Sequence, residues 1–141
     1  MPVPPVIDDS AQAHSPSPLR ILHLEDDVND AAIIAWTLRT AGIQCRVVRV
    51  EDEESYAASL REGNVDLVLS DANVGGFSGL RALEMARAAN ISAPFVFVSG
   101  SATPEARAQA LERGATDCLS KDHRIQLVFL VQRIWQEKLE N

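Results

Sequence analysis

Five side chains have the types and spacing to work together: Glu25 and Asp26, Asp71, Ser99 and Lys121. Each closes or follows a short apolar run. Glu25 and Asp26 follow LRILHL, Asp71 follows VDLVLS, Ser99 ends PFVFVS, and Lys121 follows ATDCLS. Asn73 stands two residues beyond Asp71. Carboxylates brought close together repel one another unless a cation sits among them. An oxygen-only set without Cys or His suits Mg²⁺ rather than zinc. Taken singly, each residue has an ordinary explanation. Asp71 is a favoured turn residue, Ser99 could cap a loop, and Lys121 could be a surface lysine. Acids at 25–27 would also be favourable at a helix N-terminus. The joint pattern, with acids after two runs, a hydroxyl after a third and a lysine after a fourth, points to a site.

The pattern works only if the elements bring those chain positions to one place. Strand formers over 19–24 predict a first strand, and a helical spacing of Ala31, Ile34, Ala35, Leu38 and Ala41 predicts a helix over 28–41. Strands are expected over 43–50, 65–70, 94–99 and 115–120, and helices over 51–61, 78–89, 103–114 and 122–139. Thr103 and Pro104 form a helix start with a cap residue and Pro at the first helical position. Strand and helix alternating five times give a parallel sheet covered on both faces, and the nearly continuous apolar strands fit that burial. The expected fold is a flavodoxin-like α/β doubly wound sheet, (βα)5, with strand order 2-1-3-4-5. In that order the first strand lies between the second and third, so Glu25, Asp26 and Asp71 fall side by side at the carboxyl ends.

Composition narrows the function classes. The 141 residues allow one domain with a real core, and 46% hydrophobic and 23% charged residues are ordinary for a globular protein. A formal net charge of −7 argues against direct nucleic-acid binding, which needs clustered Lys and Arg. Cys45 and Cys118 lie in apolar runs far apart, with no CxxC or Cys/His grouping, and read as reduced buried thiols. No run approaches a membrane span, and the first residues lack the basic start and apolar core of a signal peptide. The expected location is the cytoplasm. Residues 1–18, with five prolines, read as a disordered tail or linker, leaving 19–141 as the domain.

LHLEDD, DLVLSDANVGGFSG, FVFVSG and GATDCLSK, in that order and spacing, resemble the receiver domain of two-component response regulators. The resemblance covers about 19–139. It implies that Asp71 is a phosphoacceptor and that Glu25 and Asp26 form the acidic pair for Mg²⁺, with Asp26 and Asp71 as direct ligands. It implies that Asn73 offers its backbone carbonyl, Ser99 bonds the phosphoryl group, and Lys121 pairs with a phosphoryl oxygen. Gly100 would keep room beside Ser99, and Asn73 and Ser101 are where the family tunes phosphoryl lifetime. Phosphoryl transfer is mostly positioning and charge neutralisation, which a lysine and Mg²⁺ supply.

The sequence also departs from the family. Cys118 stands where an aromatic switch residue is usual, Asp122 where proline follows the lysine, and Gly75 where a proline is usual. A trans Lys121–Asp122 bond is expected, because a cis bond without proline costs roughly 2.5–4 kcal/mol. The implied partner is a histidine kinase or phosphotransfer protein, with no membrane or direct nucleic-acid contact. Output, to a downstream protein or a second copy, is expected through the fourth helix, fifth strand and fifth helix. The fifth helix has more apolar residues than one core-facing stripe needs, so Phe129 or Trp135 is expected on a second apolar face. Two rival readings are a receiver-like module that binds without being phosphorylated and a Mg²⁺-dependent phosphatase on a similar fold. The intact acid, hydroxyl and lysine set argues against the first, and the lack of a cap insertion against the second.

Overall fold

The alternation of strand formers and helix periodicity is carried directly into three dimensions in the computed structural model, which describes residues 17–140. The order is β1 (Leu19–Leu24), α1 (Val28–Thr40), β2 (Cys45–Val50), α2 (Glu53–Glu62), β3 (Leu67–Ser70), β4 (Asn73–Val74), β5 (Phe77–Ser78), α3 (Gly79–Ala88), β6 (Phe95–Ser99), α4 (Pro104–Glu112), β7 (Asp117–Ser120) and α5 (Arg124–Glu140). The main sheet is parallel with order β2-β1-β3-β6-β7. Because β4 and β5 form a separate hairpin, this is the order expected from sequence. Of the expected Pro-rich tail, residues 1–16 lie outside the described residues.

Alternation along the buried strands sorts the core into two layers. Leu22, Leu24, Val68, Phe95 and Phe97 pack with Tyr56 of α2 and Leu83 of α3 on one face. Ile21, Leu69, Val96 and Val98 pack with α1 and α5 through Ile34, Leu38, Leu127 and Trp135 on the other. Tyr56 is fully buried, and its hydroxyl donates to the Ala82 carbonyl at 2.6 Å, which fixes α2 to α3. With Leu60, it anchors a helix whose other residues are exposed or only partly buried. On α5 the two aromatic candidates divide. Trp135 is 7% exposed and belongs to the core, whereas Phe129 is 67% exposed.

Several strands start two residues later than the apolar runs suggest. Ile43 and Ala115 are buried but lie outside the ladder, because burial does not require strand pairing. The last helix starts at Arg124 rather than 122, after a turn in which the His123 amide donates to the Ser120 carbonyl at 3.0 Å. The β4–β5 hairpin was not anticipated. It turns at Gly75 and Gly76, with φ of 56° and 90°. Two successive positive φ values are those of the tight hairpin turn, and a Pro at 75 could not adopt them. No cis peptide bond occurs among the described residues, so Lys121–Asp122 is trans as expected.

Candidate functional site

Backbone bonds beyond the strand ends bring the candidate residues to one edge. The Asp71 amide donates to the Leu24 carbonyl at 3.0 Å, and the Glu25 amide to the Val50 carbonyl at 2.9 Å. The Lys121 amide donates to the Ser99 carbonyl at 3.1 Å. Each of these bonds fixes where a side chain leaves the sheet. Gly79 then admits the chain close behind Asp71: a Cβ there would lie 2.6 Å from the Asp71 carbonyl and 2.5 Å from the Phe97 ring. Ser78 caps α3, its hydroxyl accepting from the Leu80 amide at 3.1 Å. Asp27 caps α1 by accepting from the amides of Asn29 at 2.9 Å and Asp30 at 3.1 Å. For Asp27 the helix-terminus explanation is therefore the right one.

Lys121 is the centre of the arrangement. Its Nζ lies 2.7 Å from Asp30 Oδ2, 2.9 Å from Glu25 Oε1 and 3.2 Å from Asp71 Oδ2. Burial pulls the Lys121 pKa down, but its close contacts with Asp30, Glu25 and Asp71 outweigh it and hold the ammonium well above its usual range. Glu25 is 1% exposed. Desolvation raises its pKa, opposed by Lys121 and by the Asp27 amide, which donates to Oε2 at 3.1 Å. The Lys121–Glu25 contact is an ion pair by distance, yet Glu25 Oε1 has no aligned hydrogen bond. Asp71 Oδ1 accepts from the Ala72 amide at 2.7 Å. Beneath this cluster lies His23, 1% exposed with neither ring nitrogen partnered. Its pKa falls to about 4, chiefly through burial and secondly through Lys121.

The structure brings Glu25, Asp71 and Lys121 together as expected and adds Asp30, which the sequence reading passed over. In sequence it is only an acid in the first turn of α1, three residues past the capping Asp27, which does not mark it as a partner of Lys121. Asp26 is exposed at the rim rather than among the acids around Lys121. Asn73 sits at the start of the hairpin, where its Oδ1 accepts from the Gly76 amide at 3.1 Å. Ser99 is 3% exposed, its Oγ 3.2 Å from Ser101 Oγ and accepting from the Ser101 amide at 3.2 Å. A Cβ on Gly100 would meet nothing within 4 Å, so the space at this position is open. Cys118 is buried and, with Leu80, Phe97, Ser99 and Ala110, lines an apolar pocket behind the site.

The donor chemistry fits a hard cation. The acids around Lys121 carry more negative charge than one ammonium balances, and the buried oxygen of Glu25 lacks an aligned bond. The Lys121 ammonium now stands among them. Among the described residues, no three His, Cys, Asp or Glu side chains are gathered as metal ligands.

The chain is similar to known proteins over most of its length. A profile of the response regulator receiver domain matches residues 21–132. The sensor histidine kinase RcsC of Escherichia coli is 26% identical over 121 residues, 86% of this chain but 12% of that protein. The cell cycle transcriptional regulator CtrA of Caulobacter vibrioides is 26% identical over 82% of this chain and 50% of its own length. This chain thus spans half or less of the length of these relatives. Among solved structures, the receiver domain of sensor histidine kinase PA1611 from Pseudomonas aeruginosa matches with 26% identity and a TM-score of 0.68. It covers 89% of this chain and 100% of its own, and has a magnesium ion coordinated in its active site cleft. A Francisella response regulator receiver domain shares the fold, with a TM-score of 0.73 at 21% identity over 87% of this chain and 98% of its own.

Proposed function

The chain belongs to the response regulator receiver domain family of two-component systems, and from that premise we propose that Asp71 accepts a phosphoryl group from a histidine kinase or phosphotransfer protein. The donor's N–P bond breaks, a P–O bond forms to an Asp71 carboxylate oxygen, and the imidazole leaves. The product is an acyl phosphate. The observation that carries this reading is the convergence of Asp71 and Lys121 at 3.2 Å, at strand ends aligned by backbone bonds. An ammonium held charged beside the acceptor stabilises the charge gathering on the phosphoryl oxygens.

Glu25, Asp26, Asp71 and the Asn73 backbone carbonyl would hold Mg²⁺, which supplies further neutralisation of the phosphoryl group. The oxygen-only donors of this chain and the magnesium in the PA1611 receiver support that assignment. Ser99 would donate its hydroxyl to the phosphoryl group, exchanging its contact with Ser101. The catalysis is confined to the domain's own phosphorylation and dephosphorylation. Among the described residues no helix is long and apolar enough to cross a membrane, and we place the reaction in the cytoplasm.

Readout is through the face formed by α4, β7 and α5, to a downstream protein or a second copy. Exposed Leu111, Ile125 and Phe129 lie on these helices. With Cys118 in place of an aromatic ring, no large side chain is available there to swing between two positions. The experiment is incubation with acetyl phosphate and Mg²⁺ followed by intact mass. One phosphoryl adduct is expected on the wild type and none on Asp71→Asn. Equal labelling of the two would overturn the assignment.

A further inference from the structure

We infer that Asp30 is a positioning residue that competes with the phosphoryl group for Lys121 and so sets how readily the site is occupied. The inference rests on the proposed phosphorylation of Asp71. An ammonium has three donor hydrogens. In this structure three carboxylates surround Lys121 Nζ, and the nearest is Asp30 at 2.7 Å, whereas the acceptor Asp71 is the farthest at 3.2 Å. Turning Lys121 toward a phosphoryl oxygen therefore means loosening one of the other contacts.

Burial decides which contact yields. The Glu25 side chain is 1% exposed, so separating it from the ammonium would strand a buried carboxylate away from water. The Asp30 side chain is 36% exposed and can exchange the ammonium for water at little cost. Asp30 is also fixed in place. It lies in the first turn of α1, and its amide is held by the Asp27 cap at 3.1 Å, so the carboxylate stands ready to recapture Lys121 when the phosphoryl group leaves. Its charge acts in the same direction, because a carboxylate this near opposes a group that adds negative charge to Asp71. The outcome is an intramolecular counterweight: Lys121 is parked on Asp30 in the resting state and drawn off it by phosphorylation.

The test is a calorimetric titration with beryllofluoride in the presence of Mg²⁺, together with acetyl phosphate labelling. Asp30→Asn keeps the shape and removes the charge, and should bind beryllofluoride roughly three- to tenfold more tightly and label faster. Asp30→Glu should return both toward wild type. A merely structural role would give the opposite sign, since a damaged site binds more weakly. Unchanged or weaker binding in Asp30→Asn, with wild type binding normally, would overturn the role of Asp30 alone. Failure of wild type both to bind and to label would instead remove the phosphoacceptor reading on which it rests.

Discussion

Two lysines tie the last third of the chain to the sheet, one at each end, and their surroundings differ in charge balance. At the amino end, Lys138 of α5 meets a single carboxylate, Asp66 Oδ2, at 2.7 Å, and also donates to the Pro18 carbonyl at 3.0 Å. Asp66 Oδ2 in turn accepts from the Arg20 amide at 2.8 Å. One positive group meets one negative group, and the remaining bonds go to backbone. At the carboxyl end, Lys121 faces Glu25, Asp30 and Asp71 together. A balanced pair is a clasp between elements. An unbalanced cluster costs stability through repulsion and persists where surplus charge has a use, which in our proposal is to hold a cation and receive a phosphoryl group.

The comparison breaks most sharply on Asp71. Asp71→Asn should abolish acetyl phosphate labelling, while Asp66→Asn should label like wild type, as read by intact mass. Loss of labelling in Asp66→Asn alone would mean that the wrong end of the sheet has been chosen. Removing the two lysines gives the next largest contrast. Lys121→Met takes away a donor aimed at the developing charge and should slow labelling about 10²- to 10³-fold. Lys138→Met should leave the rate unchanged in a time course.

The pH dependence of folding sharpens the same contrast. His23 lies under the acid cluster and is held neutral, with a native pKa of about 4 against 6.5 for an unperturbed histidine. The unfolded chain therefore binds more protons between those values. The contribution of His23 is fully present above pH 6.5 and is lost as pH falls toward 4, amounting to about 3 kcal/mol. Glu25, whose pKa is raised by desolvation, acts in the opposite sense: its share declines as pH rises through its native pKa. Urea unfolding from pH 7 to 4 should show wild type losing stability faster than His23→Leu, in which the imidazole is gone. Parallel curves would mean that the folded protein accommodates the imidazolium.

The smallest expected effect is at the clasp. Lys138→Met should cost about 0.5–1 kcal/mol, the worth of a partly exposed ion pair, and the loss should shrink in high salt. A larger loss, insensitive to salt, would show that the Lys138 stem contributes by packing rather than by charge.

Much of this protein was legible in its sequence. Period-two and period-3.6 patterning specified the elements, their alternation dictated a parallel sheet, and a parallel sheet puts the residues that end its strands on one edge. Glu25, Asp71, Ser99 and Lys121 could be named for that reason alone. The sequence also identified the cap and proline start of α4, where the Thr103 hydroxyl accepts from the Ala106 amide at 3.1 Å, because capping is a local interaction. What only the tertiary structure decided are matters of a few ångströms between distant segments. Asp30 and Lys121 are 91 positions apart, and nothing along the chain ranks Asp30 above Asp26 as the partner of the ammonium. The placement of the first turn of α1 beside the end of β7 makes that choice. Likewise, Phe129 and Trp135 are equally apolar in sequence, and rotation about the axis of α5 exposes one and buries the other. Local pattern fixes which residues can reach the end of an element; the relative placement of elements, set by core packing, fixes which of them meet.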